Sequence, residues 1–202
     1  MPGLYNLGSM RRWLKPLSAA SVAVLLAMVA WYALSPRATR VKAGDLAPDV
    51  SLPHWNAPTA RGTLHALRGS PVLLILFDSS WPGTGRALEE LEKVHRRFLQ
   101  DGLVVVGIAL DPPEEAKAVE FLMANRGLTF TVLMDPSGRQ VAPIYGLPPD
   151  RVPETYLIDR SGRVVSVHLS PEPWARDDLR GKIEGLLPPR RQGALDSPRP
   201  PG

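Results

Sequence analysis

Residues 78–86, Asp-Ser-Ser-Trp-Pro-Gly-Thr-Gly-Arg, bring a carboxylate, three hydroxyls, an indole, two glycines and a guanidinium into one short stretch. The hydroxyls of Ser79, Ser80 and Thr84 become nucleophiles only beside a general base, and no His or Lys stands near them in sequence; a base would have to fold in from a distance. Asp78 admits two roles, a buried acid with a raised pKa or a solvated capping group. Pro82 suits a position near the first helical turn and Gly83 and Gly85 allow close backbone approach, so free N–H groups with Arg86 would receive an anion or a partner's carbonyl. The plainer alternative is a stable turn with Thr84 as N-cap. "PGTG" is too short to count as a phosphate loop. His54, His65, His95 and His168 lack metal-ligand spacing and read as surface or packing residues, so no metal or other cofactor is expected. With no cysteine in 202 residues, thiol chemistry is absent and a disulfide-stapled secreted domain is excluded.

The elements that must hold these groups alternate in type. Val72–Phe77 is a continuous apolar run, the pattern of a strand covered on both faces. Beyond the loop, Leu88, Leu91, Val94 and Phe98 recur at helical spacing, with Glu89–Lys93 and Glu92–Arg96 as i,i+4 pairs on the solvent side. Leu103–Leu110 reads as a second buried strand and Glu114–Arg126 as a helix stopped by Gly127. Phe130–Met134 is a short strand closed by "DPSG", and Met123 and Met134 are core residues. The short link "DRSG" makes Glu154–Ile158 and Val164–Leu169 an antiparallel hairpin, and Trp174–Leu187 is a final amphipathic helix. The order β-α-β-α-β-(short helix)-β-β-α defines an α/β fold with a mixed central sheet flanked by helices.

Several blocks together carry a family resemblance. "AGDLAPDVSL", "LHALRGSPVLLILFDSSWPGTGRALEELEKV", "LVVVGIALD" and "YGLPPDRVPETYLIDRSGRVV" resemble, in order, the segments of the thioredoxin superfamily, in particular its membrane-anchored TlpA/ResA-like thiol-disulfide oxidoreductases. The resemblance covers roughly Ala43 to Leu187 and implies a thioredoxin-like fold. In that family Trp is followed by C-x-x-C, whose first thiolate attacks a disulfide from a helix N-terminus. Here Pro82 and Gly85 stand at the two cysteine positions. Neither disulfide exchange nor the peroxide chemistry of related peroxiredoxins is then available. The resemblance also implies a cis Val152–Pro153 bond facing the active loop, where backbone pairs with a substrate peptide; that pairing needs no thiol.

The flanks divide the charge. Residues 1–43 carry Arg11, Arg12, Lys15, Arg37, Arg40 and Lys42 without an acid, whereas residues 44–187 hold 15 basic and 19 acidic groups. A basic excess confined to flanks fits membrane contact better than a phosphate-tracking surface, so nucleic acid is set aside as a partner. After a basic segment at 1–16, Leu17–Leu34 is an uncharged apolar run flanked by Trp13, Trp31 and Tyr32. It reads as a single transmembrane anchor, with a cleaved signal peptide and a secreted product as the alternative. Three basic residues on each side leave orientation open; the family layout places the domain on the outer, periplasmic side of the inner membrane. A linker at 35–43, a thioredoxin-like domain at 44–187 and a Pro/Arg-rich disordered tail at 188–202 complete the division.

Three functions follow. The leading one is a redox-inactive, membrane-anchored thioredoxin-like domain that binds or scaffolds envelope proteins or peptides, through a groove formed by Trp81, Val152 and Pro153. An enzyme using non-thiol chemistry at Trp81–Arg86 is the second. A purely structural module is the third.

Overall fold

The uninterrupted apolar run places a strand, β3 (Val72–Phe77), at the centre of a seven-stranded sheet, and every one of its residues is buried. The computed structural model describes residues 19–34, 39–135, 140–148, 152–169 and 177–189. The chain divides into two compact units, 1–37 and 38–202. In the first, α1 (Ala19–Leu34) is apolar along its 16 residues and, at 1.5 Å per residue, about 24 Å long. Among the described residues no helix is long and apolar enough to cross a membrane. Leu17 and Ser18 of the expected span lie outside the described residues.

In the second unit the strands are β1 (Ser51–His54), β2 (Ala57–Thr63), β3, β4 (Val104–Ala109), β5 (Thr131–Met134), β6 (Glu154–Ile158) and β7 (Val164–Leu169). Their spatial order is β2-β1-β5-β4-β3-β6-β7, with β3, β4 and β5 parallel and every other neighbour antiparallel. The sheet is mixed, as the element pattern requires, but two strands longer than expected. The hairpin β1–β2 escapes the pattern because Pro53 and Pro58 interrupt it and only Leu52 is fully buried; Pro58 lies on the edge strand β2, where one side needs no ladder donor, and β1 pairs with β5 only at His54, which leaves Pro53 without a partner on that side.

Side chains alternate across β3 and split the core in two. Leu73, Ile75 and Phe77 pack on one face with α2 (Thr84–Phe98), α3 (Ala116–Asn125) and α5 (Asp177–Leu186) through Leu88, Leu91, Val119, Met123 and Ile183. Val72, Leu74 and Leu76 meet Val141 and Tyr145 of α4 (Val141–Tyr145) and Tyr156 of β6 on the other. The helix expected at 114–126 begins as a 3-10 turn, Pro113–Glu115, because Pro112-Pro113 restricts the entry, and becomes α-helical at Ala116. The "DPSG" turn and residues 170–176, with the start of the expected last helix, lie outside the described residues, as does the tail from 190. Residues 39–43, assigned above to a linker, belong to this unit: Val41 is buried, and its N–H donates to Tyr145 O at 3.1 Å.

Candidate functional site

The loop after β3 is held by its own oxygens. Asp78 Oδ1 accepts the Ser80 N–H at 2.8 Å and the Ser80 hydroxyl at 2.6 Å. The Asp78 carbonyl accepts Trp81 N–H at 3.2 Å and the Thr84 hydroxyl at 2.8 Å, while Thr84 N–H donates to Trp81 O at 3.1 Å. Asp78 is thus a capping group. The helix cap differs from the sequence expectation. Thr84 is not the N-cap of α2: Gly83 takes that place with φ 96°, a left-handed conformation that glycine alone adopts without steric cost. The fully buried Thr84 is the first helical residue and turns its hydroxyl back to the loop. Pro82 lies in the turn immediately before the cap, near the first helical turn.

A second carboxylate arrives from the end of β4. Asp111 is fully buried and accepts Ser79 N–H at 3.0 Å through Oδ1 and 3.2 Å through Oδ2, with the Ser79 hydroxyl also donating to Oδ1. Burial pushes the Asp111 carboxyl above the usual range and the nearby Asp78 charge adds to this, against the bonds from Ser79. Because its oxygens are engaged by the backbone N–H as well as the hydroxyl, Asp111 fixes the loop. The sequence offers one signal for it: an Asp just beyond a buried strand whose parallel neighbour ends in a loop.

A Cβ built on Gly85 would lie 2.6 Å from Cζ of Arg126. The Arg126 guanidinium is ion-paired with Glu89, and this overturns the expected Glu89–Lys93 pair: Lys93 bonds Glu90 instead, at 2.6 Å. Glu92–Arg96 forms as expected at 2.5 Å, but Glu92 is buried rather than on the solvent side, because its oxygens also accept Thr129 N–H at 2.8 Å and Thr129 hydroxyl at 2.7 Å. Arg86 is exposed.

Strand pairing brings the other loop to the same place. Leu76 of β3 stands opposite Glu154 of β6, so Val152 and Pro153 lie at the end of β6 beside the point where β3 opens into the Trp81 loop. The Val152–Pro153 bond is cis. Pro153 is buried and Val152 half-buried, whereas Trp81 is 40% exposed. Glu154 follows Pro153 into the core with no exposed surface. Its charge is met by the Arg40 guanidinium, and Tyr156 OH donates to its Oε2 at 2.8 Å. Tyr156 stacks edge-on to Tyr145 at 5.1 Å, and Tyr145 OH donates to Pro48 O at 3.1 Å. Burial raises both phenols well above their ordinary pKa. Sequence reasoning missed Asp111, Glu154, Arg40 and Arg126.

The histidines are dispersed. His95 lies edge-on to Phe130 at 6.2 Å, and His168 Nε2 contacts Ser166 Oγ at 2.9 Å. Among the described residues no group of three His, Asp or Glu could hold a metal.

This arrangement, two loops at one end of a mixed sheet with a helix starting from the first, has matches among known proteins. The AhpC/TSA family model matches residues 43–167, more than half of the chain. The chain belongs to the AhpC/TSA family. No curated protein matches it. Among solved structures, a Chlorobium tepidum protein described as the thiol:disulfide interchange protein DsbE is 27% identical, with TM-score 0.62 over 72% of this chain and 98% of that one. The peroxidoxin BcpB of Mycobacterium tuberculosis shares the fold at 21% identity, with TM-score 0.60 over 73% and 99%. A thiol-disulfide oxidoreductase of Bacteroides fragilis does so at 22% identity, with TM-score 0.58 over 71% and 100%. This AhpC/TSA-family chain has the thioredoxin-like fold of these proteins and no cysteine at any position.

Proposed function

We propose that the protein is a redox-inactive, thioredoxin-like binding domain, anchored to the inner membrane by its N-terminal segment and facing the periplasm, that holds extended segments of envelope proteins in the groove between Trp81 and Val152–Pro153. One observation carries this reading: the loop that presents a 40%-exposed indole is fixed by Asp78, Asp111 and Thr84 through bonds that need no thiol. A half-exposed aromatic ring on a pre-ordered backbone is the kind of residue that anchors binding at low entropic cost. The apolar α1 and the basic residues before it support the anchor. Non-thiol catalysis has less behind it, because Asp111 holds Ser79 by its backbone as well as its hydroxyl.

Photo-crosslinking in cells tests the groove. A benzophenone amino acid in place of Trp81 should give discrete adducts with envelope proteins, while the same group at the exposed Arg61 of β2, on the opposite sheet edge, should not. Equal labelling from both positions, or none from Trp81, would instead mark the fold as a structural module. Membrane fractionation with protease added to spheroplasts tests the anchor: the chain should pellet with membranes and be digested from outside.

A further inference from the structure

Among the described residues β7 is an outer strand of the sheet, and its outer edge is accompanied over only part of its length. Gly44 N–H donates to Val164 O at 2.8 Å, Val164 N–H donates to Asp45 O at 2.9 Å, and Leu46 bridges Arg163. Residues 44–46 thus run beside the start of β7 as a short antiparallel companion. Upstream the same segment turns away: Lys42 N–H donates to Asp45 Oδ2 at 3.0 Å, and Val41 N–H goes to Tyr145 O. A wedge of about 720 Å³ opens between the two, with Val41 and Lys42 on one wall, Val167 and Leu169 on the other, and Glu154 at its base. That volume lies within the range of ligand clefts, about 300–1,000 Å³.

Charge and position narrow the occupant. Arg40 neutralises Glu154, so the base of the wedge carries little net charge. Lys42 is exposed and enters no ion pair among the described residues, which puts an ammonium on the rim, with the Asp45 carboxylate bound to the Lys42 backbone N–H. Leu169 is 43% exposed and stands opposite Glu154, so the wedge occupies the same sheet end as Val152–Pro153, one strand beyond it. At about 4.8 Å per strand, the Trp81 loop and the β7 edge are about 10 Å apart, a span of about three extended residues. An open strand edge offers main-chain donors and acceptors to any extended chain, and a nearby ammonium adds a preference for carboxylates.

We propose that this wedge is an acidic-residue subsite: an extended partner segment held at Trp81 continues to the outer edge of β7 and sets a Glu or Asp beside Lys42. The proposal rests on the peptide-groove reading above and names the class of peptide that groove selects. It is tested with the full-length chain and three fluorescein-labelled nonapeptides of alternating Val and Thr, one unaltered, one with Glu in place of two Thr, and one with Lys in the same two places, read by fluorescence anisotropy. The Glu peptide should bind about three- to fivefold more tightly than the unaltered one at low salt, the scale of one partly exposed charge pair, and the Lys peptide more weakly. The advantage should shrink in 0.3 M salt. Lys42→Glu should abolish or reverse it, while Trp81→Ala should weaken all three peptides alike. Equal affinities, or an advantage that survives Lys42→Glu, would overturn the subsite; if Trp81→Ala still weakens every peptide, the groove reading stands without it. An advantage lost in Lys42→Glu but with affinities untouched by Trp81→Ala would keep the subsite and remove the groove. Failure of the wild-type chain to bind any peptide removes both.

Discussion

The two loops that meet at the end of the sheet are secured by opposite means. The Trp81 loop is closed by short bonds among neighbours and by one carboxylate, Asp111, that accepts from a backbone N–H and a hydroxyl and has no cationic partner among the described residues. The Val152–Pro153 loop runs directly into Glu154, a carboxylate with no exposed surface whose charge is answered by Arg40, 114 residues away. The first clamp loses bonds when it fails. The second leaves a charge stranded in the core. The hydrogen-bonded clamp ties its loop to the end of β4, whereas the ionic one ties its loop to Arg40, near the start of the second unit.

Breaking the ionic clamp should therefore have the largest effect. Arg40→Met is expected to lower unfolding free energy by about 3 kcal/mol, the lower end for a broken buried pair because Arg40 is itself partly exposed. Arg40→Met with Glu154→Met should recover much of that loss in urea denaturation, since no charge is then left unpaired. If the double variant is no more stable than Arg40→Met alone, the pair is not what holds this loop.

The hydrogen-bonded clamp should cost less. Asp111→Ala removes the acceptor for Ser79 N–H and hydroxyl, and a half-buried donor left unpaired costs about 1–3 kcal/mol. The added consequence is local. Trp81 emission should become more quenchable by acrylamide in Asp111→Ala and stay at the wild-type level in Arg40→Met, measured well below each unfolding midpoint.

The smallest effect sharpens the contrast through pH. Burial raises the Glu92 carboxyl, but its bonds from Thr129 and Arg96 outweigh burial and hold it below the ordinary value of 4.5. A folded-state pKa below the unfolded one gives stability that is present at neutral pH and lost as pH falls through the folded value. Asp111 has the opposite sign: its folded pKa is raised, so its contribution improves as pH falls toward that value from above. Glu92→Gln should accordingly flatten the acid-side loss of stability, and Asp111→Asn should steepen it. Parallel curves for both variants in urea titrations from neutral pH down past 4.5 would show that these carboxylates do not shape the acid limb.

Much of the architecture could be read along the chain. Val72–Phe77, Leu88 to Phe98 and the "DRSG" hairpin were all visible because burial on both faces, on one helical stripe or around a tight turn leaves a local period. The β1–β2 hairpin was not, since its prolines and exposed residues carry no such period. The site divides in the same way. Trp81, Pro82 and Gly85 marked the loop, but its cap moved to Gly83 because backbone sign, invisible in the pattern, decides who caps.

By itself the sequence settled what chemistry is missing: no cysteine means no thiolate, whatever the fold does. It also settled the strand and helix order, because hydrophobic periodicity is a local property. Only the tertiary structure decided which charges distant in sequence meet. Asp111 and Ser79 are 32 residues apart, Arg126 and Glu89 are 37, and Arg40 and Glu154 are 114. A contact between groups so far apart in sequence has no period to leave in a chain; it exists only once packing removes water and brings the two within bonding distance.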